Sequence, residues 1–306
     1  MGKDLVEKSR SAQDVYDKAS SVLGYDISEL SFTDKHNEIN LTKFTQPVLM
    51  THQIACYEYF SELCDNDPNP MLLAGHSLGE YTALVISGSV SFEEGLELVS
   101  ERGKLMGKHG SGSMLAIPFK KDETEDIISK SNCEVATVNQ MKQTVVGGSD
   151  EDIAELENRL TNDYPRKKSI KLKTEGAFHT SLMIKAAEEF KQCLGQTEFK
   201  QMKAPVLSNF SSEIHKIDGS KSSELLYNQL FKPVNWLGCI DTASKMEVEI
   251  IIEFGGGIGE GTPPNEKRPN LEGITKKNFR NLKSEVIYVP AINTSTIEEA
   301  SKLNYQ

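Results

Sequence analysis

The stretch Met71-Leu72-Leu73-Ala74-Gly75-His76-Ser77-Leu78-Gly79-Glu80-Tyr81 constrains this chain more than any other. It opens as a short apolar run after the Pro68-Asn69-Pro70 turn and reads as a buried strand. Residues 80–86 then read as a helix. A strand that enters a helix through Gly75-x-Ser77-x-Gly79 needs a sharp turn, and small flanking residues let it close. Such a turn strains the Ser77 backbone and exposes its hydroxyl at the helix start. There the helix N-terminus and the Leu78 amide favour negative charge on a bound oxygen. The residue types suit a serine nucleophile, although the bare pattern equally suits a plain Gly-rich loop.

The rest of the chain predicts where that turn sits. Helices are expected over 5–23, ending at Gly24, and over 44–60, with Thr45 as cap and Pro47 in the first turn. Another is expected over 93–106. Residues 113–119 read as strand, 122–131 as helix, 134–139 and 143–147 as strands, 149–160 as helix and 169–173 as strand. That order is the signature of a ferredoxin-like unit, so 113–175 reads as a small inserted α+β domain. Alternation then resumes: helix 180–194, strand 205–208, helix 222–230 and strand 248–254. Strands alternating with helices predict an α/β fold, a mostly parallel sheet flanked by helices. The large domain is therefore expected over 1–112 and 176–306, and 255–270 as a surface loop.

Bulk properties exclude several classes. A chain of 306 residues suits one large domain plus a smaller one. Its 45 acidic against 34 basic residues give a net charge of -11, which argues against broad nucleic-acid or anionic-membrane binding. The cysteines at 56, 64, 133, 193 and 239 are odd in number, and no C-x-x-C pair occurs. Neither a zinc site nor a disulfide framework is expected. The charged start lacks a secretion segment, and no run approaches the ~18 apolar residues of a membrane helix, so the cytoplasm is the expected location.

A serine hydroxyl needs a base. From spacing alone none of the six histidines stands out, though His179 follows a predicted strand and precedes a helix, where a loop projects over a cleft. An α/β hydrolase would place an acid between Ser77 and the histidine. Asp122, Asp126, Asp150 and Asp152 lie between them, but all fall in the small domain. Taken alone, Arg102 reads as a solvated helix charge and Gln229 as a helix-surface amide.

The full string Gly75-His76-Ser77-Leu78-Gly79-Glu80-Tyr81 resembles the malonyl-CoA:acyl-carrier-protein transacylases, including the stand-alone acyltransferases that serve polyketide synthases. The resemblance implies Ser77 as nucleophile, Leu78 as oxyanion amide and His76 lining the site. Gly176-Ala177-Phe178-His179 resembles the family's catalytic-histidine motif in its malonyl-selective form, which implies His179 as base and Phe178 beside the acyl group. The segment 228–236 resembles the one whose main-chain carbonyl orients that histidine, with Gln229 at the matching position. Glu101-Arg102-Gly103 resembles the segment whose arginine pairs with the malonate carboxylate, a task that suits a planar guanidinium. Asn139 and Gln46 lie in matching segments, as substrate-binding or as structural residues.

The implied reaction moves a malonyl or 2-substituted malonyl group from CoA, through acyl-Ser77, to the phosphopantetheine thiol of an acyl carrier protein in polyketide or fatty-acid synthesis. Neither a bound cofactor nor a metal is implied, and the chain is expected to be a monomer without nucleic-acid or membrane partners. Two other readings stay open: a proofreading acyl-thioester hydrolase, and a non-catalytic carrier-binding chain. Arg166, Lys167, Lys168, Lys171 and Lys173 form a basic cluster suited to an acidic carrier or to CoA phosphates. Relatives carry an upstream strand and a Gly-Gln-Gly-x-Gln loop, which supplies a second oxyanion donor. Neither has a counterpart here, so the first strand of the sheet is expected to be missing.

Overall fold

The structure is a computed structural model that describes residues 1–64, 68–259 and 262–303. Three short helices open the chain: α1 Lys3–Lys8, α2 Arg10–Leu23 and α3 Ile27–Phe32. The single helix expected over 5–23 is two. Ser9 is extended (φ -123°, ψ 131°), and its hydroxyl accepts from the Ala12 N–H and starts α2 afresh. The second helix does end on Gly24, in the left-handed conformation.

The long α4, Thr42–Leu63, starts earlier than expected, and Leu41, not Thr45, is its N-cap. The Thr45 hydroxyl instead donates back to the Ile39 and Leu41 carbonyls. Pro47 consequently lies inside the helix rather than in its first turn. Next come α5 Leu78–Ile86 and α6 Phe92–His109, the latter opened by a Ser91/Glu94 capping box.

A four-stranded antiparallel sheet follows: β1 Ser113–Ile117, then α7 Lys121–Ile128, β2 Glu134–Gln140, β3 Gln143–Gly148, α8 Asp150–Asp163 and β4 Ile170–Lys171, in spatial order β2-β3-β1-β4. The last strand is shorter than the expected 169–173, because only Leu115 and Ala116 of β1 pair with it. One face of the sheet packs Leu115, Ile117 and Val146 against Ile128, Ile153, Leu156 and Leu160 of the helices. The other packs Met114, Ala116, Ala136 and Val145 against Leu172 and Phe178.

The expected helix over 180–194 is a 3-10 turn, Ser181–Met183, running into α9 Ile184–Gln196. Then come α10 Ser222–Phe231, α11 Trp236–Lys245, β5 Ile250–Phe254, α12 Glu272–Asn281, β6 Ile287–Ala291 and α13 Thr294–Ala300. Glu260 and Gly261 of the expected 255–270 loop lie outside the described residues. The described part of that loop carries a short 3-10 turn, Pro264–Glu266, and an Ile258–Arg268 bridge.

The strand pairings outside the small sheet are mostly parallel. All of β5 pairs with β6, Leu73 bridges Val206, and two antiparallel bridges join Leu207 to Ile214 and Ile258 to Arg268. The expected strand over 71–75 is therefore one parallel bridge; among the described residues it is paired only through Leu73. Successive β5 side chains face different cores. Ile250, Ile252 and Phe254 meet the large cluster built on α2, α4, α5, α6 and α9, and Ile251 meets a second cluster around Trp236, Ile240 and Phe279. Each fully buried side chain of the large cluster, Phe60 and Phe190 among them, contributes about 1.5–3 kcal/mol of burial. These helices fix the position of the turn at Ser77.

Candidate active site

Ser77 is the N-cap of α5 and sits at φ 53°, ψ -103°. A non-glycine residue there is strained by about 1–3 kcal/mol and is held only by its surroundings. Gly75 explains how the chain makes the turn: a Cβ there would lie 2.0 Å from the Gly79 carbonyl carbon. Leu78 is the first residue of α5, so its N–H has no intrahelical acceptor.

The Ser77 hydroxyl lies 2.8 Å from His179 Nε2. The ring's other nitrogen, Nδ1, donates to the Gln229 main-chain oxygen at 2.7 Å. That bond puts the ring proton on Nδ1 and leaves Nε2 to accept from Ser77. His179 also takes a left-handed backbone (φ 62°), and the adjacent Thr180 hydroxyl donates to the Ala177 carbonyl at 2.6 Å. Burial, with Arg102 adding to it, lowers the His179 pKa to about 3, so the ring is an unprotonated base at neutral pH.

Arg102 is 1% exposed, not the solvated charge that its helical position suggests. It projects from α6 and donates through NH1 to Gln46 Oε1 at 2.7 Å. NH2 donates to Ser77 Oγ at 3.0 Å and to Gln229 Oε1 at 3.1 Å. Among the described residues its Nε–H has no hydrogen-bond partner, and its Cζ lies 5.2 Å from the Tyr81 ring centroid. Among the described residues no carboxylate comes within salt-bridge distance of it. Burial lowers its pKa, with Tyr81 and Glu80 opposing. Among the described residues this buried guanidinium is thus hydrogen-bonded only to neutral oxygens, an arrangement that leaves its charge without a paired anion.

The remaining expected residues divide. The His76 ring turns to Asn139 rather than to the Ser77 hydroxyl. It meets Asn139 Oδ1 through Nε2 at 2.9 Å and packs on Trp236 at 5.7 Å between ring centroids. Burial lowers its pKa, opposed by that bond to Asn139. Asn139 is itself tied through its main-chain oxygen to Asn278 Nδ2 at 2.8 Å. Phe178 packs between the large core and the small sheet. Gln46 is buried and serves Arg102, with its Nε2 against Met106 Sδ. The basic cluster lies apart, on the exposed segment around β4.

The sequence matches the family described as "Acyl transferase domain" over residues 1–253. It is 33% identical to a malonyl CoA-acyl carrier protein transacylase from Bacillus subtilis (strain 168), over 95% of this chain and 89% of that protein. The chain belongs to the acyl transferase domain family. Among solved structures, this acyl transferase domain resembles the malonyl CoA-acyl carrier protein transacylase of Clostridium perfringens at a TM-score of 0.85 and 29% identity, covering 98% of this chain and 91% of that one. A malonyl-transacylase in complex with its type II PKS acyl-carrier protein matches at a TM-score of 0.86 and 26% identity, covering 99% and 95%.

Two further parts of this acyl transferase domain site were not evident in the sequence. Asn209 Oδ1 accepts from the Ser77 N–H at 2.5 Å, and its Nδ2 donates to the Gly75 carbonyl at 2.7 Å. Glu80 accepts from the Asn209 N–H at 2.9 Å. Asn209 follows the expected strand 205–208, at the strand end from which a loop reaches the site. Glu80 stands within the string that carries the resemblance, but nothing there marks its side chain as buried, because a first-turn glutamate normally faces solvent.

Proposed function

We propose that this chain carries a malonyl-type acyl group on Ser77, from CoA to the phosphopantetheine thiol of an acyl carrier protein. The buried Arg102 guanidinium, without a carboxylate partner among the described residues and one hydrogen bond from Ser77 Oγ, carries the reading. A free carboxylate on the acyl group would supply the missing partner. A site built to bind such a group rejects analogues that lack it by on the order of 10⁴-fold.

The chemistry follows from the bonds. His179 Nε2 takes the Ser77 proton as Oγ attacks the thioester carbonyl. The tetrahedral oxygen gains charge near the Leu78 N–H and the start of α5. The C–S bond breaks, and the CoA sulfur leaves with the proton from His179. A carrier thiol then gives its proton to His179 and attacks the acyl-Ser77 carbonyl; the ester C–O bond breaks, and His179 returns the proton to Ser77 Oγ. The Gln229 carbonyl holds the ring throughout and stabilises its transient charge, so no acidic third residue is required. General-base assistance of this kind contributes about 10²–10⁴-fold.

The same proposal assigns His76, Asn139, Phe178 and Gln46 to the acyl pocket, Gln46 by holding Arg102. It divides the chain into a large domain, 1–112 with 176–306, and a small domain, 113–175. The separate core of Leu115, Val146, Ile153 and Leu156 supports that division. The basic cluster at 166–173 is assigned to the acidic carrier or CoA phosphates. We place the protein in the cytoplasm; Cys56, Cys133, Cys193 and Cys239 are free thiols, and no helix among the described residues is long and apolar enough to cross a membrane.

The experiment is incubation with malonyl-CoA, with and without a holo-carrier protein. Malonyl carrier should form, and free malonate should be slow without carrier. Free acid released equally fast in both arms would instead indicate a hydrolase.

A further inference from the structure

Glu80 stands in the first turn of α5, three residues after Ser77, with a side chain of 0% exposure. A buried carboxylate is costly unless its oxygens are hydrogen-bonded, and here both are. Oε2 accepts from the Asn209 N–H at 2.9 Å and from Gln229 Nε2 at 2.9 Å. Oε1 meets Nε2 of the fully buried His215 at 2.8 Å, and that ring's Nδ1 meets Ser222 Oγ at 3.1 Å.

Two of these three partners hold the reacting groups. The Asn209 side chain clasps the nucleophile turn through Gly75 and Ser77. Gln229 donates through the same Nε2 to the Ser77 carbonyl at 2.8 Å, accepts from Arg102 at its side-chain oxygen, and orients His179 with its main-chain oxygen. Ser77, His179 and Arg102 come from three separate parts of the chain, and the Glu80 side chain stands one residue removed from each, while its main-chain N–H donates to the Ser77 carbonyl at 3.2 Å.

We propose that Glu80 is a positioning residue for acyl transfer, which sets the register between the Ser77 turn and the Gln229 carbonyl, with His215 as its anchor. The inference rests on the acyl-Ser77 reading above. Its work is geometric. A glutamine there accepts both Oε2 donors on its amide oxygen. Its N–H₂ donates to His215 Nε2, once that ring carries its proton on Nδ1 and donates from there in a hydrogen bond to Ser222 Oγ. An aspartate keeps the carboxylate but withdraws it by roughly 1.5 Å, one C–C bond.

The test follows Ser77 modification by intact mass in the full chain, with malonyl-CoA and separately with phenylmethanesulfonyl fluoride, alongside thermal melts. Glu80→Asp should slow both reactions by about 100-fold, the scale of an ångström-sized misplacement. Glu80→Gln should react near the wild-type rate. Glu80→Asp at the wild-type rate, or Glu80→Gln as slow as Glu80→Asp, overturns the proposal. A role in stability alone would make rates follow melting temperature rather than split the two variants, and that result overturns it too. The sulfonyl fluoride separates this inference from its premise. If malonyl-CoA labels nothing but the sulfonyl fluoride still labels Ser77 and splits the variants, the acyl-donor reading fails and Glu80 keeps its role.

Discussion

At the scale of single residues, the account rests on three side chains with different duties. With a pKa of about 3, His179 stays unprotonated well below the ordinary histidine value of 6.5. The rate constant kcat/KM for Ser77 acylation, which reports the free enzyme, should therefore show no inflection near pH 6.5; a fall centred there would contradict the burial of the ring. Arg102→Ala should raise KM for malonyl-CoA and lower kcat/KM by on the order of 10²–10³-fold, the cost of one lost charged contact. It should lose far less against acetyl-CoA, so that the ratio of the two donors collapses. Ser77 was legible because a turn between a strand and a helix is a local feature. His179, Arg102 and the Gln229 carbonyl were legible only through family resemblance, since nothing in their own spacing marks them. Glu80 and Asn209 stayed hidden because they meet each other across 129 residues, and no short pattern records such a pairing.

At the scale of elements, the turn at 177–180 decides whether His179 reaches Ser77. It packs on β3, where a Cβ at Gly147 would lie 2.8 Å from Thr180 Cγ2 and 3.1 Å from Ala177 Cβ. Gly147→Ala should displace the turn and slow acylation by on the order of 10²-fold, with an overpacking cost of about 1–3 kcal/mol in the melt. Thr180→Ser in the same chain removes the clashing methyl, keeps the hydroxyl bonded to Ala177, and should restore much of the rate. No recovery in the double variant would contradict this packing argument. The small sheet was readable almost strand by strand, because its apolar alternation is confined to 113–171. The strand over 71–75 was readable as apolar but not as a single bridge, since pairing is set by neighbours distant in sequence. Helices α11 to α13 carry weaker patterns and emerged only in the fold.

At the scale of the whole molecule, buried histidines tie stability to pH. His52 and His179 have folded pKa values of about 3, and that of His76 is also lowered, against 6.5 for the free side chain. Below pH 6.5 the unfolded chain binds protons that the folded chain refuses. Stability should therefore fall with pH, by about 1.4 kcal/mol per unit for each fully shifted histidine. Above that value the contribution is absent. Melting temperatures equal at pH 5 and pH 8 would contradict it. The net charge of -11 leaves the basic cluster as a local exception. Charge reversal at Arg166 and Lys168 should raise KM for the carrier protein while leaving acylation by malonyl-CoA unchanged, and an unchanged carrier KM would remove that surface from the account. Intact-mass analysis of the chain after brief exposure to malonyl-CoA or acetyl-CoA is the most direct test of acyl transfer through Ser77. One malonyl group on Ser77 is expected, absent in Ser77→Ala, with little or no acetyl adduct. An unlabelled chain, or equal labelling by both donors, would contradict it.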